Sequence, residues 1–366
     1  MSDWMDTACL PADEQGIIKA AGILASGGLV AFPTETVYGL GANALDAGAV
    51  AAVFAAKGRP GDNPLIAHVT DIEQARAYGE WNPLAQTLAE AFWPGPLTLI
   101  VGRKPSVPAR TSAGLSTLAL RAPDHPTAQA LIARCGFPLA APSANRSGRP
   151  SPTRAKHVLE DLGGLIPLVL DGGPCAIGLE STVVDALGSV PVILRPGAVT
   201  PEMIAMVAGE CRLAESAMRA LRADESAPSP GMRHKHYAPR ARMSLVQGSP
   251  EVVRAALLAL SAGSGERTWV LALDDVLEGH SAAGLKSLGR DARGAAHRLF
   301  HLLRLADEEG VERIYAQALP RDGLGLAVMN SLVRASGFDV LDAESILHSK
   351  PLEQEREKEL CPRKHG

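Results

Sequence analysis

Lys57-Gly58-Arg59, Ser143-Ala144-Asn145 and Leu194-Arg195-Pro196 are three separated stretches in which fixed cations or short hydroxyl and amide donors close an apolar run. Guanidinium and ammonium groups neutralise phosphate charge, and short donors fix its orientation. Together they suit a polyanion such as a nucleotide triphosphate. The sequence holds no G-x-x-x-x-G-K-S/T loop that would do the same job. The chain therefore reads as a nucleotide-using enzyme with a dispersed phosphate site.

Other segments bring further groups. Phe32 to Gly41 follows an apolar run and offers hydroxyls at Thr34 and Thr36, with glycines where backbone can approach a ligand. A tight turn with solvated threonines explains that segment equally well. Lys57 at a helix end is an ordinary partner of the helix dipole. That does not account for the Pro-braced loop which delivers Asn63 and His68 beside it. A lone histidine on an apolar strand is more often a satisfied core residue, so His68 alone carries little weight. Pro138 to Gly148 leaves an apolar strand for small polar residues and reaches Ser151. There, backbone amides can contact phosphate, and Ser143 with Asn145 can bond its oxygens. Gly178 to Asp185 adds Ser181, Ile193 to Gly197 adds Arg195, and Thr117 and Arg121 sit at opposite ends of one strand. Arg121 is available to clamp a carboxylate, although an arginine on an edge strand is commonly only a solvated charge.

These groups need a scaffold of alternating strands and helices. Apolar runs predict strands at 29–32, 65–69, 97–101, 117–121, 168–170, 182–185 and 192–195. Helical patterns fill 71–78, 83–92, 126–134 and 153–162, and Asp46 caps an Ala-rich helix through Ala56. The mixture implies an α/β fold with a twisted, mixed open sheet, whose strand order the pattern leaves open. Near Ala223 the texture changes to a turn-forming stretch that reads as a linker. Beyond it, strands at 243–246, 268–273 and 313–316 alternate with helices at 251–262, 293–309 and 326–335, which fits a second, smaller α/β domain. Gly323-Leu324-Gly325 imitates a dinucleotide fingerprint, but Val328 occupies the third glycine position, so the turn reads as structural or regulatory. The tail from Lys350 is densely charged.

At 366 residues, two domains are expected, and 46% hydrophobic with 21% charged residues is the balance of a soluble globular protein. A net charge of −4 gives no bulk attraction for nucleic acid or anionic membrane, so any RNA contact must be local. The five cysteines form no CxxC pair, which points to neither a zinc site nor a disulfide framework. The acidic N-terminus lacks a signal pattern and no run is long enough to span a membrane, so the chain reads as cytoplasmic.

The order of these motifs, with Pro230-Gly231-Met232-Arg233-His234-Lys235-His236-Tyr237-Ala238-Pro239 and Gly323 to Asn330, resembles the threonylcarbamoyl-AMP synthases. Those of the longer type have a YrdC-like catalytic domain and a C-terminal domain. The resemblance implies a YrdC-like domain over 12–212, a linker over 223–241, a small Rossmann-like domain over 242–348 and a tail over 349–366. The cluster His234-Lys235-His236-Tyr237 between prolines predicts a linker that folds over the cleft as an active-site lid, the alternative being an ordinary solvated basic linker. It implies nucleotidyl transfer: L-threonine, bicarbonate and ATP give L-threonylcarbamoyl-AMP and pyrophosphate, for threonylcarbamoyladenosine modification of tRNA by a downstream transferase. By the same resemblance, ATP falls to Lys57, Arg59, Asn63, Thr117, Ser143, Asn145, Ser151, Arg195 and Tyr237. Thr34, His68, Arg121, Ala141 and Ser181 would hold L-threonine. No covalent nucleophile is implied; Lys57, Arg59 and Arg195 position the reactants, and Mg²⁺ accompanies ATP without a clear protein ligand. Two other readings stand beside this one. One is an RNA-binding module of YrdC-like fold without turnover, using Arg146, Arg149, Arg154, Lys156 and His157 for a weak tRNA contact. The other is carbamoyl transfer like that of hydrogenase-maturation proteins, whose acylphosphatase and cysteine-rich zinc regions this sequence lacks.

Overall fold

Side-chain alternation along three strands decides which groups can meet. In Ile66–His68, Ala67 points into the main core while Ile66 and His68 face the other way. In Thr117–Arg121, Leu118 and Leu120 enter the same core and Ala119 and Arg121 face away. In Thr182–Asp185, Val184 points to the core and Val183 away, on the side that Ser181 shares. One sheet face thus carries an apolar floor of Ile66, Ile100, Ala119, Val183 and Leu194, with His68, Arg121 and Ser181 at its border.

The computed structural model describes residues 6–217, 237–263 and 267–348. Residues 223–236 of the linker and the tail from 349 lie outside the described residues. Among the described residues the first sheet has twelve strands. Its order is Ala8–Pro11, Leu168–Asp171, Val30–Phe32, Gly39–Asn43, Leu139–Ala140, Ile66–His68, Thr117–Arg121, Leu97–Arg103, Thr182–Asp185, Val192–Arg195 and Arg212–Leu213, with Gly79–Glu80 paired to Leu97–Arg103. Parallel and antiparallel pairings mix, as a twisted open sheet allows. The strand of Arg121 lies between two others, so this arginine is buried and not the solvated edge charge it could have been.

Capping follows the sequence. Asp46 is extended and accepts from the amides of Gly48 and Ala49, starting the helix Ala47–Lys57. Gly58 ends it in the left-handed region at φ 60°, which costs glycine nothing, and so turns Lys57 and Arg59 away from the helix toward the sheet.

The second sheet is wholly parallel, in the order Leu285–Ser287, Thr268–Ala272, Arg313–Gln317, Arg242–Gln247, Val340–Asp342. Its core includes Val37 and Leu179 from the first domain's loops, so the two halves share apolar contacts. Gly178 sits at that seam with φ +84°, and a Cβ there would lie 2.6 Å from the Ala296 carbonyl oxygen. The turn at Gly323-Leu324-Gly325 opens the helix Gly323–Ala335, and the Gly323 amide bonds the carboxylate of Glu202 from the first domain. A Cβ on Gly325 would stand 2.2 Å from the Pro320 oxygen, so this glycine serves a tight turn. No helix among the described residues is long and apolar enough to cross a membrane.

Candidate active site

The loops at the border of the apolar floor line a partly open cavity. Thr34, Lys57, Arg59, His68, Arg121, Ala141, Ser143, Asn145, Ser181, Arg195 and Tyr237 all line it, although up to 203 positions separate them in sequence. Lys57, His68, Arg121 and Arg195 are each less than a tenth exposed. Polar groups buried this deeply need built-in partners.

Each has one. The Lys57 ammonium donates to the carbonyls of Ser143 and Asn145, the latter at 2.5 Å. Burial pushes its pKa well below the ordinary lysine range, and the Arg59 charge adds to the effect. Burial likewise lowers Arg59 to about 10. Arg195 donates from Nε and Nη2 to the Ser181 carbonyl at 3.1 and 2.9 Å, and from Nη2 to the Ser181 hydroxyl at 3.1 Å. The Ser181 hydroxyl is also 2.7 Å from that of Thr98. Arg195 reaches the cavity through a register shift: Val183 pairs with Arg195, but Val184 pairs with Ile193. Leu194 is the extra residue, and such a bulge re-aims the side chains beside it. Ile193 accordingly stays in the main core while Leu194 joins the floor and Arg195 lines the cavity.

At the other end of the cavity, Arg121 donates from Nε to the Gly95 carbonyl at 3.3 Å. Its Nη2 lies 2.6 Å from Glu35 Oε1, an ion-pair distance without hydrogen-bond alignment. His68 Nδ1 is 3.3 Å from the Leu139 carbonyl oxygen, which assigns the proton to Nδ1 and leaves Nε2 as an acceptor. Burial, with Arg121 adding to it, holds the His68 pKa down at about 3. The ring is therefore neutral at physiological pH. Thr34 is committed to its own turn, donating to the Val37 carbonyl at 2.7 Å and lying 2.8 Å from the Thr36 hydroxyl.

Three expected ligands stand elsewhere. Thr117 shares Arg121's face but lies at the opposite end of the strand, outside the cavity lining, because four residues of extended chain separate the two. Asn63 is buried behind Arg59, whose Nη2 donates to its carbonyl at 3.5 Å. Its own Oδ1 has no hydrogen-bond partner among the described residues. Ser151 is fully buried and donates to Glu180, one layer behind the cavity surface. Conversely, Glu180 lines the cavity and Glu35 buttresses it, though their sequence context marks neither. Burial raises the Glu180 pKa, while Arg195 and hydrogen bonds from Ser151 and Tyr237 oppose the rise. Tyr237, the first described residue after the gap, closes this side. It adopts a left-handed φ of 65° and packs its ring 5.1 Å from that of Phe300.

The basic stretch considered for RNA is partly committed to other contacts, while Arg146 and Arg154 are exposed. Arg149 pairs with Asp161 and Asp307, Lys156 with Glu160 and Glu308, and His157 is buried.

A site where Lys57, Arg59 and Arg195 share one cavity with Arg121, with no paired nucleophile and base among the described residues, suits group transfer by alignment. Comparison with known proteins agrees. Residues 22–197 match a family model described as telomere recombination, and residues 199–337 match one described as the threonylcarbamoyl-AMP synthase C-terminal domain. A Bacillus subtilis protein named threonylcarbamoyl-AMP synthase is 46% identical over 91% of this chain and 96% of its own length. A Pyrococcus abyssi protein of the same name is 44% identical over 90% of this chain and 96% of its own length. The crystal structure of P. abyssi Sua5 complexed with L-threonine superposes with a TM-score of 0.85 at 44% identity, covering 92% of this chain and 99% of that one. The chain is a two-domain α/β enzyme of the nucleotidyltransferase type. It belongs to the threonylcarbamoyl-AMP synthase family.

Proposed function

We propose that this cavity joins L-threonine, bicarbonate and MgATP into L-threonylcarbamoyladenylate, releasing pyrophosphate and water. The supporting observation is that Lys57, Arg59 and Arg195 share one cavity with His68, Arg121 and Ser181. Threonine's amine captures bicarbonate as a carbamate with loss of water. A carbamate oxygen then attacks the α-phosphorus as pyrophosphate leaves. Both steps depend on alignment and charge neutralisation more than on a protein nucleophile.

In this reading Arg121, braced by Glu35, takes the threonine carboxylate, and the neutral His68 offers Nε2 to a threonine donor. Arg59 and Arg195 meet the phosphates, and Lys57 ties Ser143 and Asn145 into the wall that faces them. Mg²⁺ arrives on the phosphate oxygens as part of the substrate; no group of three or more His, Cys, Asp or Glu among the described residues is placed to hold a metal. The adenylate would pass to a transferase that modifies tRNA in the cytoplasm.

The test is pyrophosphate release by purified protein. Release that requires threonine, bicarbonate and ATP together supports the reading. Release that is indifferent to threonine, or salt-dependent RNA affinity without turnover, defeats it.

A further inference from the structure

The helix Ala292–Glu308 of the second domain buries Ala295, Ala296, Leu299, Phe300 and Leu303 along one apolar stripe, and the next residue inward is an arginine. Arg304 is only 1% exposed. Its Nη2 donates to Asp161 Oδ2 at 2.7 Å and to the Pro150 carbonyl at 2.6 Å, and Nη1 donates to the His157 carbonyl at 3.3 Å. All three acceptors belong to the first domain. Arg304 Nε is buried with no partner among the described residues. An apolar side chain would fill this place without that cost, since buried ion pairs seldom stabilise more than well-packed hydrophobic residues. The arrangement therefore calls for a role other than stability.

Arg304 is placed to fix the loop from Ser143 to Ser151. Asp161 is held by Arg304 and in turn accepts the Arg146 amide at 3.2 Å and the Arg149 guanidinium. Pro150, whose carbonyl Arg304 grips, directly precedes Ser151. On the cavity side, Asn145 Nδ2 donates to the carbonyls of Arg146 and Arg149 at 2.8 and 2.9 Å, and Lys57 holds the Ser143 and Asn145 carbonyls. The loop is thus pinned from the front by catalytic-domain residues and from behind by a second-domain arginine. With Arg304 removed, Asp161 loses a charged donor and the Pro150 carbonyl is left buried and unpaired, so the loop relaxes.

We propose that Arg304 is a positioning residue through which the second domain sets the affinity for nucleotide. This rests on the reading that the loop serves ATP. Arg304→Met and Arg304→Lys, made in the full chain, test it by steady-state KM for ATP and for threonine, with thermal midpoints recorded alongside. The expected result is a rise in ATP KM of about tenfold for Arg304→Met, partial recovery in Arg304→Lys and a threonine KM within about twofold of the parent. Should Arg304→Met not fold, Arg304→Lys, which keeps the cation, decides alone. An ATP KM equal to the parent's in a folded variant overturns the inference whatever the thermal midpoint does, and so does an equal rise in both KM values. Lys57→Gln separates the two layers. If it raises ATP KM and the Arg304 variants do not, only the positioning role fails. If it leaves ATP KM unchanged, the assignment of the loop to ATP fails first.

Discussion

Arg121 and Glu35 form a pair with side chains 4% and 8% exposed, and neither has another acidic or basic group to fall back on in the salt bridges of the described residues. Truncating one member strands the other in a medium that solvates it poorly. Glu35→Ala should therefore cost roughly 3–5 kcal/mol of unfolding free energy, read from the urea midpoint. Its threonine KM should rise as well, because the guanidinium loses the brace that aims it. An intact threonine KM alongside lost stability would show that Glu35 acts on the fold alone. On the nucleotide side, Arg195→Ala removes a guanidinium bonded three times to Ser181. A fall in kcat/KM for ATP of about 10- to 100-fold is expected, the scale of one charged hydrogen-bonding group. No change in that ratio would move Arg195 out of the phosphate site. The cations were legible because an arginine or lysine closing an apolar run is costly unless it has a task. Their partners were not. Glu35 lies 86 residues from Arg121 and Asp161 lies 143 from Arg304, and no local pattern encodes such distances.

Gly197 shows how elements set the site. A Cβ there would stand 2.3 Å from the Thr182 amide and 2.6 and 2.7 Å from the backbone of Ser181 and Glu180. Backbone cannot yield as a flexible side chain does, so Gly197→Ala should push the Ser181 segment and the bulged strand of Arg195 apart. We expect a loss of at least tenfold in kcat with a fold that still gives a native far-ultraviolet spectrum, since the clash falls on the backbone of Glu180, Ser181 and Thr182 beside the cavity. Full activity in Gly197→Ala would mean that this seam is loose. Apolar strands such as Thr117–Arg121, Thr182–Asp185 and Val192–Arg195, and the helix Pro83–Phe92, were legible to the residue because apolar runs and Pro or Gly borders mark them. Gly39–Asn43, Arg212–Leu213 and Leu285–Ser287 were not. They are short or glycine-rich, and the neighbouring strands create them more than their own propensity does. The bulge at Leu194 and the order of the sheet were equally hidden, because both arise from pairing between distant segments.

Across the whole molecule, the seam between the domains is built from groups that must stay uncharged as well as from groups that must be charged. His157 Nδ1 accepts the Thr153 amide at 3.2 Å, and its Nε2 faces His301 Nδ1 at 3.4 Å in a stacked pair with ring centroids 5.5 Å apart. Burial holds the His157 pKa down at about 3, with Arg304, His301, Arg154 and Lys156 pushing the same way. His68 sits equally low in the catalytic cavity. For such groups the folded pKa lies below the unfolded value of about 6.5, so between the two the unfolded chain binds more protons. Stability should then be flat above about pH 7.5 and fall as pH drops through 6.5 toward 3. Each histidine contributes a loss of about 2 kcal/mol by pH 5. Urea midpoints of the parent and of His157→Gln, measured at pH 8, 7, 6 and 5, check this. The variant starts lower at pH 8, having lost its place in the stack, and then loses about 2 kcal/mol less on the way to pH 5. Parallel curves for the two proteins would place the acid sensitivity elsewhere and remove the histidine stack from the account of how the second domain stays seated on the catalytic one.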